Sequence, residues 1–236
     1  YYNGLTGGFN FGDGVLTIQC TPIMYYLSTK FNKPEISVET VDEFLAAIGS
    51  DTVIKLEAEI FKLSDATDYG AYGTDYYYWH DVFDGPGLVI NGVKNLSIIA
   101  EQDCTIAAIP RYADVLSFIN CENLTLSGFT AGHTEEPGEC AGGVLSFENC
   151  WDIDIDGCHL FGCGILGINA YYCSDIDVKN TEIYECSQGA IALYTVMDAS
   201  FENMDIHDCM TPEISLHDCM DICFEGDKLN YAGGSY

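Results

Sequence analysis

Positive charge is what this sequence has least of. Its 236 residues hold eight Lys and Arg against 37 Asp and Glu, for a formal net charge of −29, and Arg111 is the single arginine. A nucleic acid or an anionic membrane surface needs cations opposite its phosphates, so electrostatics disfavour both as partners. A polyanionic glycan would be repelled as well, unless cations intervene. No run of 18 apolar residues exists, so no segment of this chain is expected to span a membrane. Apolar residues nevertheless make up 48% of the chain, enough for one elongated domain with a sizeable core rather than a disordered polymer.

From Cys140 to Tyr231 the chain repeats itself every 23 residues, four times without a gap. Cys140, Cys163, Cys186 and Cys209 open the four lines. Leu145, Ile168, Ile191 and Ile214 share one column, and Ile153, Ile176, Ala199 and Ile222 another. A fixed period of this size marks a solenoid. Within each line apolar residues sit two apart, as in Leu145/Phe147, Ile153/Ile155 and Cys158/Leu160, which is strand spacing. Gly157, Asn180, Asn203 and Gly226 then fall at corners, where left-handed backbone is needed. The expected fold is all-β: a parallel β-helix with three short strands per coil, its columns stacked about 4.8 Å apart.

Twelve Cys invite a disulfide framework. Stacked Cβ atoms about 4.8 Å apart are too distant for one, so most are expected to be buried thiols. The same linear stacking prevents a column of four Cys from surrounding a tetrahedral zinc.

These coils resemble the right-handed parallel β-helix repeats of the pectate-lyase-like superfamily. The phrase TVDEFLAAIGSDTVIKLEAEIFKLS resembles the helix and first coil that cap many of its members, and the likeness runs from about residue 35 to 229. The resemblance implies the fold more than an activity, because lyases, hydrolases, epimerases and adhesins share it. The polygalacturonase-like signatures, Asn-Thr-Asp, paired Asp-Asp, Gly-His-Gly and Arg-Ile-Lys, are absent, and Gly132-His133-Thr134 is a partial echo.

Taken in order, residues 1–34 match no coil and are read as a cap or edge segment, with residues 35–236 as the β-helix domain. Residues 40–48 read as a short helix, with Thr40 as N-cap and Glu43 completing a capping box, placed to plug the open end of the solenoid. Three insertions interrupt the period, at 65–87, 106–110 and 132–137, all at the corner before the line-opening position. Loops on a rigid scaffold are where function concentrates.

The first insertion brings Tyr76, Tyr77, Tyr78, Trp79, His80 and Asp81, a set suited to carbohydrate: aromatic faces for ring C–H groups, polar atoms for hydroxyls. Packing of the same aromatics against the solenoid wall is the competing reading. Arg111 is an ion-pair partner or, as the resemblance implies, the base of a lyase. His133, Glu135 and Glu136 are loop-forming groups or the acids and bases of a glycosidase. Asp152, Asp154, Asp175 and Asp177 are solvated corner acids or calcium ligands, since that ion accepts hard oxygens from adjacent coils. The expectation is a secreted or surface-displayed bacterial module that binds carbohydrate at the insertion edge. A polysaccharide lyase or glycoside hydrolase, and a purely structural or adhesive rod, are the alternatives.

Overall fold

A computed structural model describes residues 8–12, 15–19, 33–134, 141–162, 165–210, 214–226 and 228–229. The chain divides into two compact units, Tyr1–Asn32 and Lys33–Tyr236. In the first, Gly8–Gly12 pairs antiparallel with Val15–Gln19. The cap or edge role expected of residues 1–34 rests mostly on segments outside the described residues.

The second unit is the solenoid. Each coil contributes one strand to each of three sheets, met in the order I, II, III. Sheet I contains Gly85–Asn91, Leu116–Ile119, Leu145–Glu148, Leu166–Tyr171, Gly189–Tyr194 and Ile214–His217. Sheet II runs from Glu35–Val38 and Thr52–Leu56 to Met220–Glu225, and sheet III from Ile60–Lys62 to Lys228–Leu229. Neighbours within these rows are parallel and in the register the columns demand: Leu145 lies beside Ile168, Ile153 beside Ile176, and Leu160 beside Ile183. Like therefore packs on like, as in the Phe118/Phe147 stack at 5.2 Å and 11°.

Those columns are the core. Leu145, Phe147, Ile155, Leu160, Ile168 and Ile191 are fully buried, each such side chain contributing roughly 1.5–3 kcal/mol by leaving water. Cys104, Cys121, Cys150, Cys158, Cys173 and Cys186 lie there as thiols, not disulfides. Several donate to carbonyls of the coil before, such as Cys150 Sγ to Phe118 O at 3.4 Å.

Corners turn through left-handed backbone. Gly157, Asn180, Asn203 and Gly226 all have positive φ, as do Asn120 and Asn149 at the corner between sheets I and II. There the amides chain together, Asn149 Nδ2 donating to Asn120 Oδ1 at 2.6 Å and Asn120 Nδ2 to Asn91 Oδ1 at 3.2 Å.

At the N-terminal end of the solenoid the helix Val41–Ala47 carries the expected capping box, Glu43 N donating to Thr40 Oγ1 and Thr40 N to Glu43 Oε2. Val41, Phe44, Leu45 and Ala47 are buried. Tyr77–Val82, expected to be part of a loop, instead pairs antiparallel with Gly85–Asn91 and closes the edge of sheet I.

The placement of the surplus residues needs one correction. The insertions that follow Lys62 and His133 do leave at the corner between sheets III and I. The coil assigned an insertion at 106–110 is different, because Thr105–Ala108 is a strand of sheet III. From Leu96 to Thr105 is nine steps where Leu124 to Thr130 is six, so three of its five extra residues sit at the II–III corner, around Glu101, Gln102 and Asp103. Only the remaining two lie at the III–I corner.

Candidate functional site

At the III–I corner the three insertions bind one another. Asp84 accepts backbone N–H groups from Arg111 and Tyr112 at 2.7 and 3.2 Å. Arg111 O accepts from Ala141 N and Gly142 N at 3.0 and 2.9 Å. Asp114 takes Gly143 N at 2.6 Å on one oxygen and the Ser117 hydroxyl at 3.2 Å on the other. His133, 3% exposed, holds Ala113 O at 2.9 Å through Nε2. Burial lowers its pKa below the ordinary imidazole value.

The insertions therefore converge on one corner. His133 faces the corner's own backbone, with Nε2 on Ala113 O and Nδ1 buried without a hydrogen-bond partner. Arg111 forms no ion pair among the described residues, and its Nε is buried without a hydrogen-bond partner. Glu135 and Glu136 lie outside the described residues.

The aromatic set divides by strand alternation. Tyr77 and Trp79 point inward, 5% and 9% exposed, and belong to the core. Trp79 meets Tyr69 edge-on at 5.0 Å, and the Tyr77 hydroxyl donates to Asp68 Oδ2 at 3.2 Å. For these two, packing is the reading that holds, and neither is available to stack on a ligand. Tyr76, Tyr78 and His80 alternate outward and, like Asp81, are exposed.

Tyr78 lies beside Val89 in the antiparallel register, and from Val89 an outward row continues through Ser117, Ser146, Asn169, Ala192 and Ser215. The row is recessed. Val89 and Ala192 point away from the core yet are only 6% and 2% exposed. Asn169 Oδ1, on the same row, is buried with no hydrogen-bond partner. Beside it runs a second row through Asn91, Ile119, Glu148, Tyr171, Tyr194 and His217. Its last three rings stack at 4.6 and 4.7 Å, within 6° of parallel. Tyr171 ends that stack with one face turned toward the Glu148 position. Sequence reasoning missed this surface, although aromatic residues recurring at 23-residue spacing were a signal for it.

The acids of sheet II do not form a metal centre. Asp152, Asp175, Asp198 and Asp221 each have positive φ, in one column with Asp51, Asn95 and Asn123. Asp and Asn tolerate that conformation better than other side chains, so backbone geometry selects them. Asn95 Nδ2 and Asn123 Nδ2 show the column bonding along itself, to Asp51 Oδ1 at 2.6 Å and Asn95 Oδ1 at 2.8 Å. Asp177 accepts from the Ser200 hydroxyl. Burial raises the Asp154 pKa, Lys179 pulls it back, and Asp156, Asp177 and Asp152 add repulsion. Among the described residues no three His, Cys, Asp or Glu side chains gather closely enough to hold a metal ion. Asp152, Asp154, Asp175 and Asp177, expected as solvated corner acids or calcium ligands, therefore do not form such a group.

No helix among the described residues is long and apolar enough to cross a membrane. None of the curated proteins is similar enough in sequence to match. A solved structure from Parabacteroides merdae, titled as a presumed glycosyl hydrolase, superposes with a TM-score of 0.52 at 10% identity, covering 82% of this chain and 97% of that one. At that identity the likeness shows the fold. Residues 86–235 match the family described as right handed beta helix region. Matched over more than half its length, and built of parallel coils in continuous register, the chain belongs to the right-handed β-helix family.

Proposed function

We propose that the outward face of sheet I binds a glycan chain laid across the coils. The observation that carries this is Asn169 Oδ1, an acceptor shielded on a recessed outward row without a partner. A buried acceptor left unpaired costs about 1–3 kcal/mol, and a ligand hydroxyl or a bound water relieves that cost. Around it lie groups a sugar uses: hydroxyls of Ser146 and Ser215 along the row, Tyr76 and Tyr78 at one end, and the face of Tyr171 near the other. Apolar ring faces beside a few placed polar atoms are the usual make-up of a ligand site.

The solved neighbour titled as a glycosyl hydrolase supports a carbohydrate-related role. Binding is preferred to catalysis because both oxygens of Asp84 and of Asp114 hold the insertions together. Secretion or surface display belongs to the same proposal, as the setting in which such a module meets polysaccharide.

A glycan array followed by titration tests it. Asn169→Leu should weaken the best ligand about fivefold, the value of one hydrogen bond, and Tyr171→Ala by a similar factor, with melting temperatures unchanged. A flat array, or affinity untouched by both variants, overturns the assignment.

A further inference from the structure

The three residues added at the II–III corner build something on a different wall. Glu101 pairs with Lys55 at 3.3 Å, and Gln102 Nε2 donates to Glu57 O at 3.1 Å, pinning the widened corner to the coil before it. Next to it, above the outward face of sheet III, is a cavity of about 460 Å³ lined by Glu59, Asp103, Cys104, Thr105, Thr130, His159 and Tyr184. The later coils lack this extension, since the step from sheet II to sheet III is six at Ile153 to His159 and again at Ile176 to Glu182, while the first coil, with eight steps from Thr52 to Ile60, carries two of the three added residues.

The lining is polar and uncommitted. The side chains of Glu59, Asp103, Thr105 and Thr130 make no hydrogen bond or ion pair with a described residue, while their backbones are tied into sheet III and its corner, as in Thr105 N to Glu59 O and Thr130 N to Cys104 O. Cys104 is 3% exposed, and its thiol lacks the carbonyl partners that Cys121, Cys150 and Cys158 have. His159 is held in place through Nδ1, 2.6 Å from Glu182 Oε2, and Glu182 is gripped from its other oxygen by His207 Nε2 at 2.9 Å. This leaves Nε2 of His159 for a ligand. Tyr184 is clamped in a stack with Phe161 and His207. Gly132 seats that stack, because a Cβ there would fall 2.5 Å from Phe161 Cε1.

We infer that this cavity is a second binding site, for a sugar ring that carries a positively charged amine. Glu59 and Asp103, both exposed and without a side-chain partner among the described residues, favour a cation. Two threonine hydroxyls and an oriented imidazole nitrogen call for a polyol, and an amino sugar supplies both on one ring. The site stands apart from sheet I and does not depend on the reading of that face.

Calorimetric titration of the full chain tests it, with glucosamine oligomers at a pH that keeps the amine charged, and with their N-acetylated counterparts in parallel. Saturable binding of the amine form is expected, weakened about tenfold by Asp103→Asn and about threefold by Thr130→Val. Asp175→Asn on sheet II should leave it unchanged. Absence of saturable binding overturns the inference. So does an equal loss in Asp175→Asn, which would mean diffuse attraction to an acidic protein, or an equal affinity for the acetylated oligomers. Loss confined to Tyr171→Ala would move the sugar to sheet I and end the claim for sheet III.

Discussion

Gly142→Ala probes the junction of the insertions. A Cβ at Gly142 would lie 1.9 Å from Ala113 O and 2.3 Å from Ala113 C, both backbone atoms. No side-chain rotation relieves such a contact, so the two loops must part. Parting them endangers Ala141 N and Gly142 N to Arg111 O, and Gly143 N to Asp114 Oδ1. Displacing Ala113 O also removes the partner of the buried His133 ring. Three to four hydrogen bonds at roughly 1 kcal/mol each set an expected loss of about 2–4 kcal/mol, with water replacing part of what the exposed bonds gave. Gly157→Ala is the matched control. That glycine has φ +64° and nothing within 4 Å of its ideal Cβ, so only the left-handed backbone is charged, about 1–2 kcal/mol. Urea denaturation at constant m-value measures both. If Gly142→Ala proves no more destabilising than Gly157→Ala, the insertions do not meet as described.

Three further outcomes follow from the same packing. Phe147→Ala, which empties a fully buried place in a stacked column, should cost about 3–5 kcal/mol by chemical denaturation; a loss below about 1 kcal/mol would contradict the ladder. The hydrogen bonds to Glu182 and then Asp208 raise the His207 pKa to about 9, above the unfolded value of 6.5. Its stabilisation is therefore present below pH 6.5 and is lost as pH rises through about 9. His207→Gln should flatten the melting temperature over that range, and an unchanged alkaline slope would refute the pairing. His133 works in the opposite direction: its pKa is depressed by burial, so stability falls as pH drops below 6.5, and His133→Gln should reduce that acid-side loss as followed by melting temperature.

The fold was legible because stacking turns a period in sequence into contact in space. Any residue in the Ile153, Ile176, Ala199 column meets its own kind, and a single misplaced polar group would have broken the column. The capping box at Thr40 and Glu43 was legible for a local reason, since both partners lie within one turn. The three-residue extension at Glu101–Asp103 was not, because polar residues suit either end of the strand Thr105–Ala108 and the count between distant columns cannot say which. Tyr76–Asp81 carried two signals at once. Aromatic content pointed to a ligand, while the alternation of Tyr77 and Trp79 ahead of the two-residue connection Phe83-Asp84 was that of a hairpin, and burial of two large rings outweighs leaving them in water. The acidic column of sheet II imitated a cation site because left-handed backbone and calcium favour the same side chain.

Register is the premise on which core, corner and binding face all depend, and amide-to-amide nuclear Overhauser contacts measure it directly. Strong cross-strand contacts are expected between Leu96 and Leu124, Leu124 and Ile153, and Ile153 and Ile176, although the first pair is separated by 28 residues, the second by 29 and the third by 23. Contacts that keep a constant 23-residue spacing through the uneven coils, or that connect residues three and four apart, would contradict it.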